Sequence, residues 1–152
     1  MEKLIFDDGL LRLDVNGNGM LVFNPSDLNL YHRFTELPKK VIELENNYKK
    51  LATVISADAS EQDTIAAALA QLREIDIGVK KELARVFGEQ NDFDVLFAGI
   101  NLMSVAKNGE RVITNFLNAI TPYIETGVSK YAKDSAAVAV AQAKAARAKR
   151  QK

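Results

Sequence analysis

Asp14, Asn16, Asn18 and Gly19 have the residue types and spacing of a calcium loop. Their side-chain oxygens fall where a hard cation takes its first ligands, and glycine follows where the loop must turn sharply. The pattern then fails. The bidentate glutamate that should close the site is replaced by Pro25, and the flanking residues alternate like strands rather than helices. A phosphate cradle built on Gly17 and Gly19 fails as well, because Val22 stands where a third glycine is needed. The acid pairs Asp7/Asp8 and Asp92/Asp94 have the chemistry for proton transfer, but turn and helix-cap roles account for them. His32 is the only histidine, so no cluster of histidines can form around a metal or a nucleophile; it reads as a surface residue. With no cysteine there is no disulfide framework and no thiolate metal site. The expectation is a protein without enzymatic activity, metal or cofactor.

The elements that carry these residues are legible from apolar spacing. Residues 10–15 and 20–23 flank Asn16-Gly17-Asn18-Gly19. Apolar runs around an Asn-Gly pair predict a β-hairpin, since both residues tolerate the positive φ of its turn. Residues 3–6 are expected to add a third short strand, turning at Asp7-Asp8-Gly9. Asn24-Pro25-Ser26-Asp27 is a helix-start signal. Beyond it, Phe34, Leu37, Val41, Leu44, Tyr48, Leu51 and Ile55 follow at alternating steps of three and four. That heptad seam makes one narrow apolar stripe, a candidate partner-binding surface facing another helix of this chain or a second chain. Pro38 interrupts it, and the expectation is a short helix over 27–36 with a new one beginning at Pro38.

After a polar linker at 56–60, with Ser60 and Asp63 at capping-box spacing, a second stripe runs through Ile65, Leu69, Leu72, Ile75, Val79, Leu83 and Val86 to Gly88. The short link favours an antiparallel helix pair whose stripes face each other. Residues 91–99 read as one or two helical turns, and Lys107-Asn108-Gly109-Glu110 as a turn. A third amphipathic helix carries Ile113, Phe116, Leu117, Ile120 and Ile124, with Pro122 near its end. The expected fold is mainly α. A small N-terminal β-hairpin packs on a bundle of three main helices near 38–55, 60–87 and 110–125. One domain spans 1–127, and a loosely attached basic helix spans 128–152.

The net charge of zero conceals an asymmetry. Residues 1–127 hold 13 Lys/Arg and 19 Asp/Glu, a net of −6, whereas residues 128–152 hold seven Lys/Arg and one acid, Asp134, a net of +6. An acidic body with a basic tail points to an interaction tail, with Tyr131, Lys144 and Arg147 as candidate contacts. The tail has nine alanines and only a thin stripe of Val128, Tyr131 and Val138. A single aromatic among its cations gives little support to nucleic-acid binding. The first eight residues turn acidic too early for a signal peptide, and no apolar run approaches the roughly 20 residues of a membrane helix. A cytoplasmic protein is expected.

One stretch has a familiar order. Val86-Phe87-Gly88-Glu89 is followed by Asp92-Phe93-Asp94-Val95-Leu96-Phe97-Ala98-Gly99-Ile100-Asn101. Asn115-Phe116-Leu117-Asn118-Ala119-Ile120-Thr121-Pro122-Tyr123-Ile124 comes next. This order resembles the tail assembly chaperones, and related small tail-region proteins, of long-tailed non-contractile bacteriophages and prophages of Gram-positive bacteria. In those proteins an acidic-aromatic element precedes a helix of the Asn-Phe-Leu type. About 35 residues carry the match in detail, and the layout extends over most of 24–126. Ala98-Gly99-Ile100-Asn101 loosens the usual Gly-Asn, and the N-terminal hairpin has no counterpart in the pattern. The resemblance implies a non-enzymatic, oligomeric protein that binds the tape measure protein, or another phage tail protein, in the host cytoplasm and is absent from the mature virion. Its alternatives are an oligomeric structural or other interaction protein of a phage tail region, or a nucleic-acid-binding module.

Overall fold

The computed structural model describes residues 1–57 and 62–150. It is mainly α: strands β1 (Leu11–Asp14) and β2 (Met20–Phe23), then helices α1 (Leu28–Ala57), α2 (Gln62–Phe87), α3 (Phe93–Leu96) and α4 (Val112–Arg150). Most of the expected linker, with the Ser60 cap, lies outside the described residues.

The hairpin forms where the Asn-Gly pattern placed it. Its strands are antiparallel, with Leu11 opposite Phe23 and Asp14 opposite Met20. Asn16 and Gly17 take positive φ, 52° and 76°, which the turn needs and few other residues tolerate. The Asp14 carboxylate accepts from the Gly17 N–H at 2.8 Å, and the Asn18 amide donates to the Leu96 carbonyl at 3.0 Å. Asp14 and Asn18 of the apparent calcium loop thus each make a hydrogen bond within the fold. The expected third strand is absent. Residues 3–6 form no strand with the described residues, and the chain at 7–9 is shaped by the Asp7 and Asp8 carboxylates, which accept from the Gly9 and Leu10 N–H groups.

α1 and α2 run antiparallel. Arg33 near the start of α1 donates to the Val86 carbonyl at the end of α2, at 3.0 Å. Contrary to the expected break, α1 is continuous through Pro38. Pro38 is exposed, so the carbonyl it leaves without a donor can be hydrated, while the buried Leu37 and Val41 hold the helix on both sides. On α2 the stripe differs at one position. Ala68 is buried and Leu69 is exposed, because the three-residue step from Ile65 lands on Ala68.

The third amphipathic segment and the basic tail are a single helix, not two. Pro122 is exposed and does not interrupt α4. The last buried residue of α4 is Gly127, against which the Pro25 backbone packs so closely that a Cβ would overlap it. From 129 to 150 every described residue is exposed.

The core collects six of the seven phenylalanines. Phe87 sits at its centre, with the rings of Phe23, Phe34, Phe93 and Phe116 between 5.3 and 6.3 Å away.

Two helical glycines separate propensity from packing. At Gly78 an added Cβ meets nothing within 4 Å, so Gly78→Ala should stabilise the fold by about 0.5–1 kcal/mol. The same substitution at Gly127 must push α4 off Pro25, and overpacking of this kind costs about 1–3 kcal/mol. Urea melts of the two variants should therefore shift in opposite directions.

Candidate binding surface

Two polar clusters fasten the chain between α2 and α4. Asp76 and Lys80 lie one turn apart on α2, both buried. Lys80 Nζ donates to Asp76 Oδ2 at 2.7 Å and to Asp94 Oδ1 of α3 at 2.8 Å. The second Asp76 oxygen accepts the Leu102 N–H at 2.8 Å. One cation thus joins α2 to α3, and one carboxylate joins α2 to the turn that precedes α4. Burial pulls the Lys80 pKa down, but the hydrogen bonds and charges of Asp76 and Asp94 outweigh it and leave the group above its ordinary 10.5. Asp94 is held below its ordinary 3.8, first by the hydrogen bond from Lys80 and then by its charge.

The second cluster is the buried Asn91. Its oxygen accepts from the Val22 N–H at 2.9 Å, and its amide donates to the Val22 and Phe87 carbonyls at 2.9 and 3.1 Å. It occupies the outer edge of β2 as a neighbouring strand would. Asp92 caps α3 as expected, accepting from the N–H groups of Asp94 and Val95 at 3.1 and 3.2 Å.

Asp76, Lys80 and Asp94 lie along an open groove of about 850 Å³ walled by Tyr48, Leu72, Phe93 and Asn101. Asp76 and Asp94 are both paired with Lys80, Asp76 also accepts from backbone, and neither a histidine nor a cysteine lines the groove. It is built to hold segments together. Among the described residues no cluster of three or more His, Cys, Asp or Glu is placed to hold a metal ion. His32 is exposed, 3.2 Å from Glu36 one turn on.

The structure places the seam residues on the face of α1 that meets α2. Leu37 and Val41 are buried, Phe34, Leu44 and Tyr48 pack against the core, and Leu51 and Ile55 are half-buried. The stripe is therefore covered within the chain. Tyr48 has a further neighbour, the Arg111 guanidinium, 5.2 Å from its ring centroid. Arg111 also meets Glu45 at 3.2 Å and donates to the Met103 carbonyl at 2.6 Å, which ties the start of α4 to α1.

Tyr131, Lys144 and Arg147 are not near the seam. They are exposed on the part of α4 that projects beyond Gly127. At 1.5 Å per residue, positions 129–150 extend roughly 33 Å past the body. Tyr131, Val138 and Val140 are exposed apolar residues on this projection, and its net charge is strongly positive. α4 is docked over its N-terminal half and exposed over the rest of its described length.

The Asp76–Lys80 pair escaped sequence reasoning, although a signal was present: two opposite charges four residues apart inside the apolar run Ile75, Ile77, Val79. No helix among the described residues is long and apolar enough to cross a membrane. Comparison with protein-family models, curated proteins and solved structures finds no match to this chain.

Asp76→Ala leaves the buried Lys80 with Asp94 alone and takes the acceptor from the Leu102 N–H, and should cost about 3–5 kcal/mol in urea unfolding. Asp94→Asn removes an exposed carboxylate and should cost far less. The sign of the pH dependence follows from the shifts. The Asp94 contribution is complete above 3.8 and is lost as pH falls below it, and the Lys80 contribution is complete below 10.5 and is lost as pH rises past it. Melts across pH should show the acid loss reduced in Asp94→Asn.

Proposed function

We propose that this chain is a bacteriophage tail assembly chaperone, a non-enzymatic protein that holds the helix-rich tape measure protein before the tail tube forms around it. It acts in the cytoplasm of the bacterial host and is left out of the finished virion. The observation that carries the reading is the projecting half of α4. It is a helix already nucleated by its docked half, so it keeps its shape at low ordering cost. It bears a thin apolar stripe, a small-residue surface and a net positive charge. Those are the properties that hold an amphipathic helix of acidic or mixed charge along its length. The residues that carry the phage resemblance lie at the end of α2, in α3 and the loop after it, and in the first half of α4. Because α2 covers the α1 seam, a homo-oligomer would use a different surface.

The test is co-purification from phage-producing cells, using the full chain and a variant lacking 132–152. The full chain should capture a long helical tail protein identifiable by mass. The truncated body should melt within a few degrees of the full chain, since residues 132–150 are exposed. It should bind the client more weakly, and the difference should widen at low salt, where screening is least. A large fall in melting temperature with client binding unchanged would remove the tail from the recognition surface.

A further inference from the structure

β1 has an open edge. In an antiparallel pair, residues alternately direct their backbone groups toward and away from the neighbouring strand. On β2 the outward residue is Val22, closed off by the Asn91 amide. Arg12 stands opposite Val22, so Arg12 and, two residues on, Asp14 direct their N–H and C=O groups away from β2. Beside that edge run two adjoining hollows of about 580 and 520 Å³, which share Tyr123. Leu11 lines one and Leu13 and Val15 the other, facing Phe116 and Ile120 of α4. An extended segment laid on β1 would put alternate side chains into this apolar groove.

The same molecule carries a segment of that kind with nothing covering it. Leu4, Ile5 and Phe6 are 89, 84 and 71% exposed. We infer that residues 3–6 of one copy add as a third strand to the β1 edge of a second copy. Charge selects the register. With the added segment antiparallel, Lys3 falls opposite Asp14 and Ile5 opposite Arg12, with Asp7 diagonal to Arg12. These side chains share the solvent face, while Leu4 and Phe6 turn into the groove beside Leu13 and Leu11. A one-residue slip would bury Lys3 and Asp7 instead. A parallel strand with Ile5 at Arg12 would set Asp7 against Asp14.

The copy's own arm is held off its own edge. The Asp7 and Asp8 carboxylates bind the Gly9 and Leu10 N–H groups, and Asn24 Nδ2 donates to the Asp8 carbonyl at 3.0 Å. Asn24 also packs so tightly on Gly9 that a Cβ there would lie 2.7 Å from its amide nitrogen. Exchange of an identical segment between copies satisfies both the arm and the edge. The inference does not depend on the chaperone reading.

The test is sedimentation of the full chain and two variants, with circular dichroism to establish folding. Phe6→Asp disables the arm. Arg12→Pro disables the edge at a position where no bond to β2 is lost, and Tyr123→Asp in the groove replaces it if the proline variant does not fold. The unmodified chain should self-associate with rising concentration, each variant alone should do so at least about tenfold more weakly, and mixing the two should restore a one-to-one complex. Any of three sedimentation results would overturn the inference: an unmodified chain that stays monomeric, Phe6→Asp that associates as before, or folded variants that do not complement. Protection of amides 3–6 from exchange in a monomer would give the edge to the chain's own arm and overturn it equally.

Discussion

The Phe87 ring is the contact on which the body of this protein depends. It is the last residue of α2, and it receives one ring from each of the other elements of the body that carry phenylalanine: Phe23 from β2, Phe34 from α1, Phe93 from α3 and Phe116 from α4. Most of these pairs meet edge to face, the arrangement the ring quadrupole favours, and each contributes about 0.5–1.5 kcal/mol beyond its buried area. A two-stranded hairpin is marginal by itself, and a four-residue helix such as α3 has little stability of its own. Both persist because they deliver a ring to this centre.

The polar contacts around Phe87 make that centre specific. Val86, one residue earlier, has its carbonyl capped by Arg33, whose charge suits a helix C-terminus. Asn91, four residues later, satisfies the Phe87 carbonyl and the outer edge of β2 with one side chain. Asp76 and Lys80 anchor the return to α4 from two to three turns earlier on the same helix. The C-terminal half of α2 is thus the frame on which hairpin, α3 and the base of α4 are hung. The result leaves α4 held over its first half and free over its second.

Periodic features were legible in the sequence. The seam from Phe34 to Ile55 reads directly because side-chain spacing alone decides which face of a helix is apolar, and the Asn-Gly hairpin reads because its turn has few alternatives. The break expected at Pro38 did not occur, and α4 runs on through Pro122. The proline penalty is local, whereas the packing of Leu37 and Val41, and of Ile120 and Ile124, is tertiary and outweighs it where the proline faces water. Residues 3–6 have the composition of a strand, but the Asp7 and Asp8 carboxylates accept from the Gly9 and Leu10 N–H groups in local turns, and 3–6 form no strand on β1. The Lys80 cluster joins residues 14 and 26 positions apart, and no short-range pattern reveals such a pairing. In the candidate surface, the exposure of Tyr131, Lys144 and Arg147 follows from the thin stripe of the tail, whereas the continuity of α4 from body to tail does not.

The proposed function rests on a division of α4 into a base packed on the aromatic centre and an exposed projection. Amide hydrogen exchange on the full chain and on Phe87→Leu tests that division most directly. Leucine keeps an apolar side chain at the centre but removes the ring. The account predicts that protection falls together in the hairpin, α1, α3 and residues 112–127, because these elements share one centre. Residues 129–150 should exchange at the same rate in both proteins. Loss of protection confined to α2, or slowed exchange in 129–150 that depends on Phe87, would contradict it.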